Sequence, residues 1–123
     1  MDIQNALNVA RQHIEAAEDN DAQIILIEAL KTEPNNVAGL LMLGGSYFST
    51  EKYLEAEIVF GQLILQEAGN GKFSVALFNV LMKLDRHEEA LEEIKRFMEH
   101  ANKETESETI EQYREIIEAL FNK

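Results

Sequence analysis

Val37-Ala38-Gly39-Leu40-Leu41-Met42-Leu43-Gly44-Gly45-Ser46-Tyr47-Phe48 is apolar or small almost without a break. It is too short to cross a bilayer, which takes about 20 residues. Just before it stand the only proline, Pro34, and then Asn35 and Asn36. Pro34 closes the preceding segment, and Asn36 can cap a new helix. A helix apolar on every side has to be covered on every side. The fold follows from what covers it.

The covering segments are announced by an internal period. Ala22, Ala56 and Ala90 stand 34 residues apart, as do Val9, Leu43 and Leu77. Leu26, Phe60 and Ile94 keep the same offset, and so do Leu30, Ile64 and Met98. Within each block apolar residues recur at three- and four-residue intervals, the helical signature. Each block therefore reads as two helices joined by a short polar turn: Glu18-Asp19-Asn20, Thr50-Glu51-Lys52 and Asp85-Arg86-His87. Asp85 ahead of Glu88 has capping-box spacing, as has Thr105 ahead of Glu108. Asn70-Gly71 breaks the chain between the second and third blocks, and Asn102-Lys103-Glu104 ends the third. The last helix lines up Ile110, Tyr113, Ile117, Leu120 and Phe121 on one face. No strand signal of similar strength is present. The expected class is all-α, with three helix pairs and one further helix.

A 34-residue period of paired helices resembles the tetratricopeptide repeat family. The second block carries the pattern best, as Leu40-x-x-Leu43-Gly44-x-x-Tyr47 followed by Ala56 and Phe60. Leu40 stands where the family prefers tryptophan. The first block keeps Val9-Ala10, Ala22, Ala29 and the closing Pro34-Asn35-Asn36. The third keeps Leu77 and Asp85-Arg86-His87-Glu88-Glu89-Ala90-Leu91, with Phe78 where the family has a small residue. The resemblance implies a single domain over residues 1–123, a right-handed superhelical stack. Its repeats would cover about 3–36, 37–70 and 71–104, with a capping helix over about 105–121. Stacking gives each pair what it lacks alone, because one pair cannot bury its own apolar side and about three are needed for stability.

Composition narrows the function. The chain has 11 basic and 23 acidic residues, a net charge of −12, so phosphate backbones and anionic membranes are disfavoured as partners. Residues 71–104 hold six of the basic residues. With no cysteine there is no thiol catalysis, cysteine–zinc cluster or disulfide frame. The start Met1-Asp2-Ile3-Gln4 has no basic, then apolar, signal pattern, so a soluble cytoplasmic protein is expected. His13, His87 and His100 are scattered without metal-ligand spacing, and no metal or cofactor is expected. Gly44-Gly45 and Gly69-Asn70-Gly71 lack the lysine and preceding strand of a phosphate loop. The Glu92-Glu93 pair and the run Glu106–Glu118 read as solvated helix faces. The expectation is a protein that is not an enzyme.

In the resembled family the first helix of each pair lines an inner groove that binds peptides or helices. By that resemblance the first block offers Gln4, Leu7, Asn8, Arg11, Ile14 and Glu15. The second offers Ala38, Leu41, Met42, Gly45, Phe48 and Ser49, and the third Lys72, Val75, Ala76, Asn79, Met82 and Lys83. Leu40, Leu43, Gly44 and Tyr47 would face the stack. The carboxylate clamp of some members maps to Leu7, Arg11, Met42, Lys72 and Ala76, where only Lys72 fits, so chaperone-tail docking is rejected. An apolar groove containing methionine suits an amphipathic helix or extended apolar peptide of another protein. This is the leading reading: an adaptor or scaffold. Two others use the same segment, a self-associating homodimer and a secretion-type chaperone for an apolar protein segment. A bland reading also stands, in which Leu7, Leu41 and Val75 pack only against neighbouring helices.

Overall fold

In the computed structural model, residues 1–121 are described. They form seven α-helices: α1 (Ile3–Glu15), α2 (Asp19–Leu30), α3 (Val37–Ser49), α4 (Tyr53–Gln66), α5 (Gly71–Lys83), α6 (His87–His100) and α7 (Ser107–Phe121). No strand occurs among the described residues. Packing groups the chain into two compact units, Met1–Leu63 and the segment from Ile64 onward, the division falling inside α4.

The period is written into the backbone as well as the side chains. Asp2, Asn36 and Asn70, each 34 residues from the next, cap α1, α3 and α5. Their side-chain oxygens accept from Asn5 N (2.8 Å), Gly39 N (2.8 Å) and Phe73 N (3.1 Å). At the other end of the same helices, Ala17, Glu51 and Asp85 take positive φ of 61°, 62° and 58°. Each corner closes with the same bond pair. Ala17 N, Glu51 N and Asp85 N donate to Ile14 O, Phe48 O and Met82 O. The next amides, Glu18 N, Lys52 N and Arg86 N, donate to His13 O, Tyr47 O and Leu81 O. This is the Schellman ending, usually built on glycine. Three non-glycine residues adopt it here, always at one register.

These corners correct two details of the sequence reading. Asp19 is already helical, so the first turn is Ala16–Glu18 rather than Glu18–Asn20. Asp85 occupies the left-handed corner and Arg86 the N-cap, so the Asp85–Glu88 capping box does not form. Nor does Thr105 open α7 with Glu108. Asn102 Oδ1 instead accepts from Glu104 N and Thr105 N, and the helix begins at Ser107.

In the first unit, Ala10, Ala22 and Ala56 are fully enclosed and allow close approach, while Leu26, Leu40, Leu43, Phe60 and Leu63 fill the core. Gly44 is a helix-contact residue: a Cβ there would lie 2.5 Å from Phe60 Cε1. The second unit inverts that exchange of bulk. Phe78 stands at the register of Gly44, and the smaller Ile94 at that of Phe60. The Phe78 ring packs on Tyr113 (centroids 5.6 Å apart), within a core of Leu81, Ala90, Ile94, Phe97 and Ile110. The large residue is thus accommodated by α7. On α7, Ile116 joins this core whereas Leu120 and Phe121 stay exposed, so the apolar face expected through Ile117 is rotated.

Candidate functional site

In the first unit the predicted groove residues divide. Leu7 is 4% exposed and belongs to the core. A Cβ on Gly39 would sit 3.1 Å from Leu30 Cδ2, so the glycine makes room for Leu30, while Leu7 Cδ2 would stay at ordinary contact distance, 3.5 Å. Leu41 is 39% exposed, Met42, Phe48 and Ile14 are half-buried, and Arg11 is exposed. Arg11 Nη1 donates to Asn8 Oδ1 (3.1 Å), which holds the guanidinium along α1. Phe48 is set edge-on against Tyr53, ring centroids 5.4 Å apart. Gly45 lies among these α3 side chains, and a Cβ on it would meet nothing within 4 Å. By helical spacing Leu41, Met42 and Phe48 share one face of α3 with the exposed Gly45, and the space over that glycine is open.

The second unit places Lys72 and Asn79 exposed, Val75 half-buried and Met82 40% exposed. Val75 and Asn79 border a cleft of about 450 Å³ between α5 and α7, with Phe78, Gln112, Tyr113, Ile116 and others. Lys72 lies in an adjoining hollow with Thr105, Glu106 and Thr109. Met82 is placed apart from both: its Sδ is 3.4 Å from His87 Nδ1 at the α5–α6 corner.

Two buried polar networks escape a residue-by-residue reading. Glu93, only 5% exposed, is a correction to the solvated-face reading. Arg96 Nε and Nη2 donate to its two oxygens at 2.7 Å each, and Arg96 Nη1 donates to Ala68 O (2.7 Å). Ser74 Oγ donates to Glu93 Oε2 (2.7 Å) and lies 2.7 Å from Tyr113 OH. Burial pushes the Tyr113 phenol up to about 12, against the lowering effect of its hydrogen bond with Ser74. The hydrogen bonds to Glu93 raise the Arg96 guanidinium further. Glu106 also departs from a solvated role, accepting from Gly71 N at 3.1 Å. The period signals the buried positions. Glu93 repeats Ile25 and Val59, and Ser74 repeats Ala6 and Leu40.

The other network lies in the first unit. Gln23 Nε2 donates to Ser46 Oγ (3.0 Å) and Thr50 Oγ1 (3.1 Å). Ser46 Oγ donates to Asp19 Oδ1 (2.8 Å), and Lys52 Nζ to Gln23 Oε1 (2.8 Å). Both networks are bonded through, as buried polar groups must be, and they join elements; Tyr113 of the Glu93 network also borders the α5–α7 cleft.

The histidines take structural places. His100 Nδ1 lies 2.9 Å from Arg96 O at the end of α6, and His87 opens α6. His13 gathers with Glu18 and Asp21, their ligand atoms within 4.8 Å of one another, but the two acids are exposed. Exposed acidic groups of this kind are common without a metal. No helix among the described residues is long and apolar enough to cross a membrane.

No protein-family model matches the sequence, and no curated protein matches it. Solved structures do resemble the fold. MamA AMB-1 is 22% identical with a TM-score of 0.71, over 80% of this chain and 54% of that one. MamA MSR-1 is 20% identical with a TM-score of 0.70, over 80% and 56%. The type III secretion translocator chaperone SycD of Yersinia enterocolitica, in a structure described as an alternative dimer, is 16% identical with a TM-score of 0.76. That match covers 95% of this chain and 89% of SycD. This chain spans little more than half the length of the MamA chains. These likenesses show the fold, a tetratricopeptide-like helical repeat.

Proposed function

We propose that this protein is an interaction module that seats an apolar segment of another protein on the inner side of α3. The observation carrying this reading is the open space over Gly45, with Leu41, Met42 and Phe48 on the same helical face, which we read as a slot. An amphipathic helix or extended peptide inserts one large apolar side chain there, and Met42 adapts to its shape. Arg11 orients an acidic group at the edge. In the second unit, the α5–α7 cleft beside Val75 and Asn79 offers a separate apolar contact, with Lys72 beside it and Met82 at the α5–α6 corner. The role is binding rather than catalysis, a reading supported by the likeness to the chaperone SycD.

The near-complete structural likeness to SycD favours one more specific form of this reading, a chaperone for an apolar segment of an exported protein. A homodimer using the same strip is the competing outcome.

Gly45→Phe tests the site directly. Space around the Cβ lets the ring occupy the slot without unfolding α3. The variant is expected to keep wild-type helical content while losing a partner that the wild type retains on an affinity column. Met42→Glu should do the same. Light scattering across a concentration series separates the outcomes: a wild-type dimer split by Gly45→Phe would replace partner binding with self-association. Equal capture by wild type and Gly45→Phe would refute the site.

A further inference from the structure

The geometry points to a second docking surface, on the outer side of α2 and α4 in the first unit, for an amphipathic helix with basic flanks. Ile24 and Ile27 on α2 are 67% and 44% exposed, and Leu54 and Ile58 on α4 are 61% and 66% exposed. Each pair has helical spacing, so its members share a face. Ile24 and Ile58 are also 34 residues apart, placing them at one register of successive second helices. Exposed isoleucine is therefore repeated, and repeated apolar exposure marks an interface more than a single stray side chain does.

The third repeat shows that this is not required by the fold. The registers of Leu54 and Ile58 are held in α6 by Glu88 and Glu92, the solvated choice. Nor is the face part of the inner site, because Leu41, Met42 and Gly45 belong to first helices.

Charge selects the occupant. Asp21, Glu28, Glu51 and Glu55 are exposed on or beside these helices. Of the basic residues of the first unit, Lys31 pairs with Glu28 (2.9 Å) and Lys52 Nζ is bonded to Gln23. Arg11 lies on α1. An apolar strip with an acidic border complements a helix bearing leucines on one side and lysines or arginines beside them. A second copy of this unit would bring the same acidic border against itself, which disfavours self-docking.

The probe is a labelled synthetic helix with leucines on one face and lysines flanking them, alongside its glutamate-flanked counterpart. Fluorescence anisotropy is expected to give affinity at least about tenfold higher for the lysine form, weakening as salt screens the border. Ile24→Ser with Ile58→Ser should reduce affinity about tenfold at an unchanged melting temperature, since both side chains are exposed. Gly45→Phe should leave it unchanged. No binding of the lysine form, or equal binding of both peptides, would overturn the proposal without needing any variant. Loss on Gly45→Phe but not on the isoleucine changes would assign the peptide to the inner slot and end this proposal while sparing the other. A wild-type dimer split by the isoleucine changes would make a second copy the occupant and also overturn it.

Discussion

Gly44→Ala isolates how the repeat exchanges bulk between its two helices. On a solvated helix this change gains about 1 kcal/mol from propensity. Here the new methyl would sit 2.5, 2.9 and 3.1 Å from three atoms of the Phe60 ring, which is itself only 5% exposed and has little room to retreat. Overpacking of this kind costs about 1–3 kcal/mol, so the net effect should be a loss of about 1 kcal/mol. Phe60→Leu alone should cost about 1 kcal/mol through the space it leaves. Together they should be less harmful than their sum, with a coupling of about 1–2 kcal/mol, because Leu frees the volume that Ala fills. The protein already contains this solution: Ala10 and Leu26 hold the same two registers in the first repeat, both fully buried. Urea unfolding followed by circular dichroism measures all three variants. A raised midpoint for Gly44→Ala, or strict additivity in the double variant, would refute the reasoning.

Further expectations follow from the backbone and the buried networks. Ala17→Gly and Glu51→Gly should each raise stability by about 0.5–1 kcal/mol in thermal melts, since a left-handed residue other than glycine is strained; Asp85→Gly should gain less because aspartate tolerates that conformation better. Arg96→Met should cost about 2 kcal/mol in urea unfolding, below the figure for a wholly enclosed pair because Arg96 is part-exposed, and adding Glu93→Val should recover most of it. Tyr113 sits protonated in the fold with its pKa raised from 10.0 to about 12, so its contribution is complete below pH 10 and is lost as pH rises toward 12. Alkaline titration by circular dichroism should show that loss in the wild type and a smaller one in Tyr113→Phe.

The helix pairs were legible because apolar spacing and the 34-residue offset agree, and Asn36 announced its own cap. Asp2 and Asn70 were equally legible as caps once aligned with it, but each looks ordinary alone. Glu93 shows the reverse difficulty: beside Glu92 it reads as a solvated acid, and only its register with Ile25 and Val59 betrays burial. Leu7 could not be separated from Leu41 by period, since they are equivalent. Only the packing distinguishes them, Leu7 being 4% exposed and Leu41 39%. The outer isoleucines are likewise invisible to a search for helical cores, because their spacing fits a helix whichever way it faces.

The left-handed corners bear on the order in which the chain assembles. Alanine, glutamate and aspartate have little in common as turn formers, yet each takes the same conformation at the same register. Local preference therefore does not nucleate these bends; they close when the helices on either side meet and the packing gain outweighs the strain. In a kinetic experiment the corners should contribute to the unfolding limb rather than the folding limb, with glycine replacements slowing unfolding and leaving the folding rate nearly unchanged. The expected order is contact between helices first and closure of the turns last.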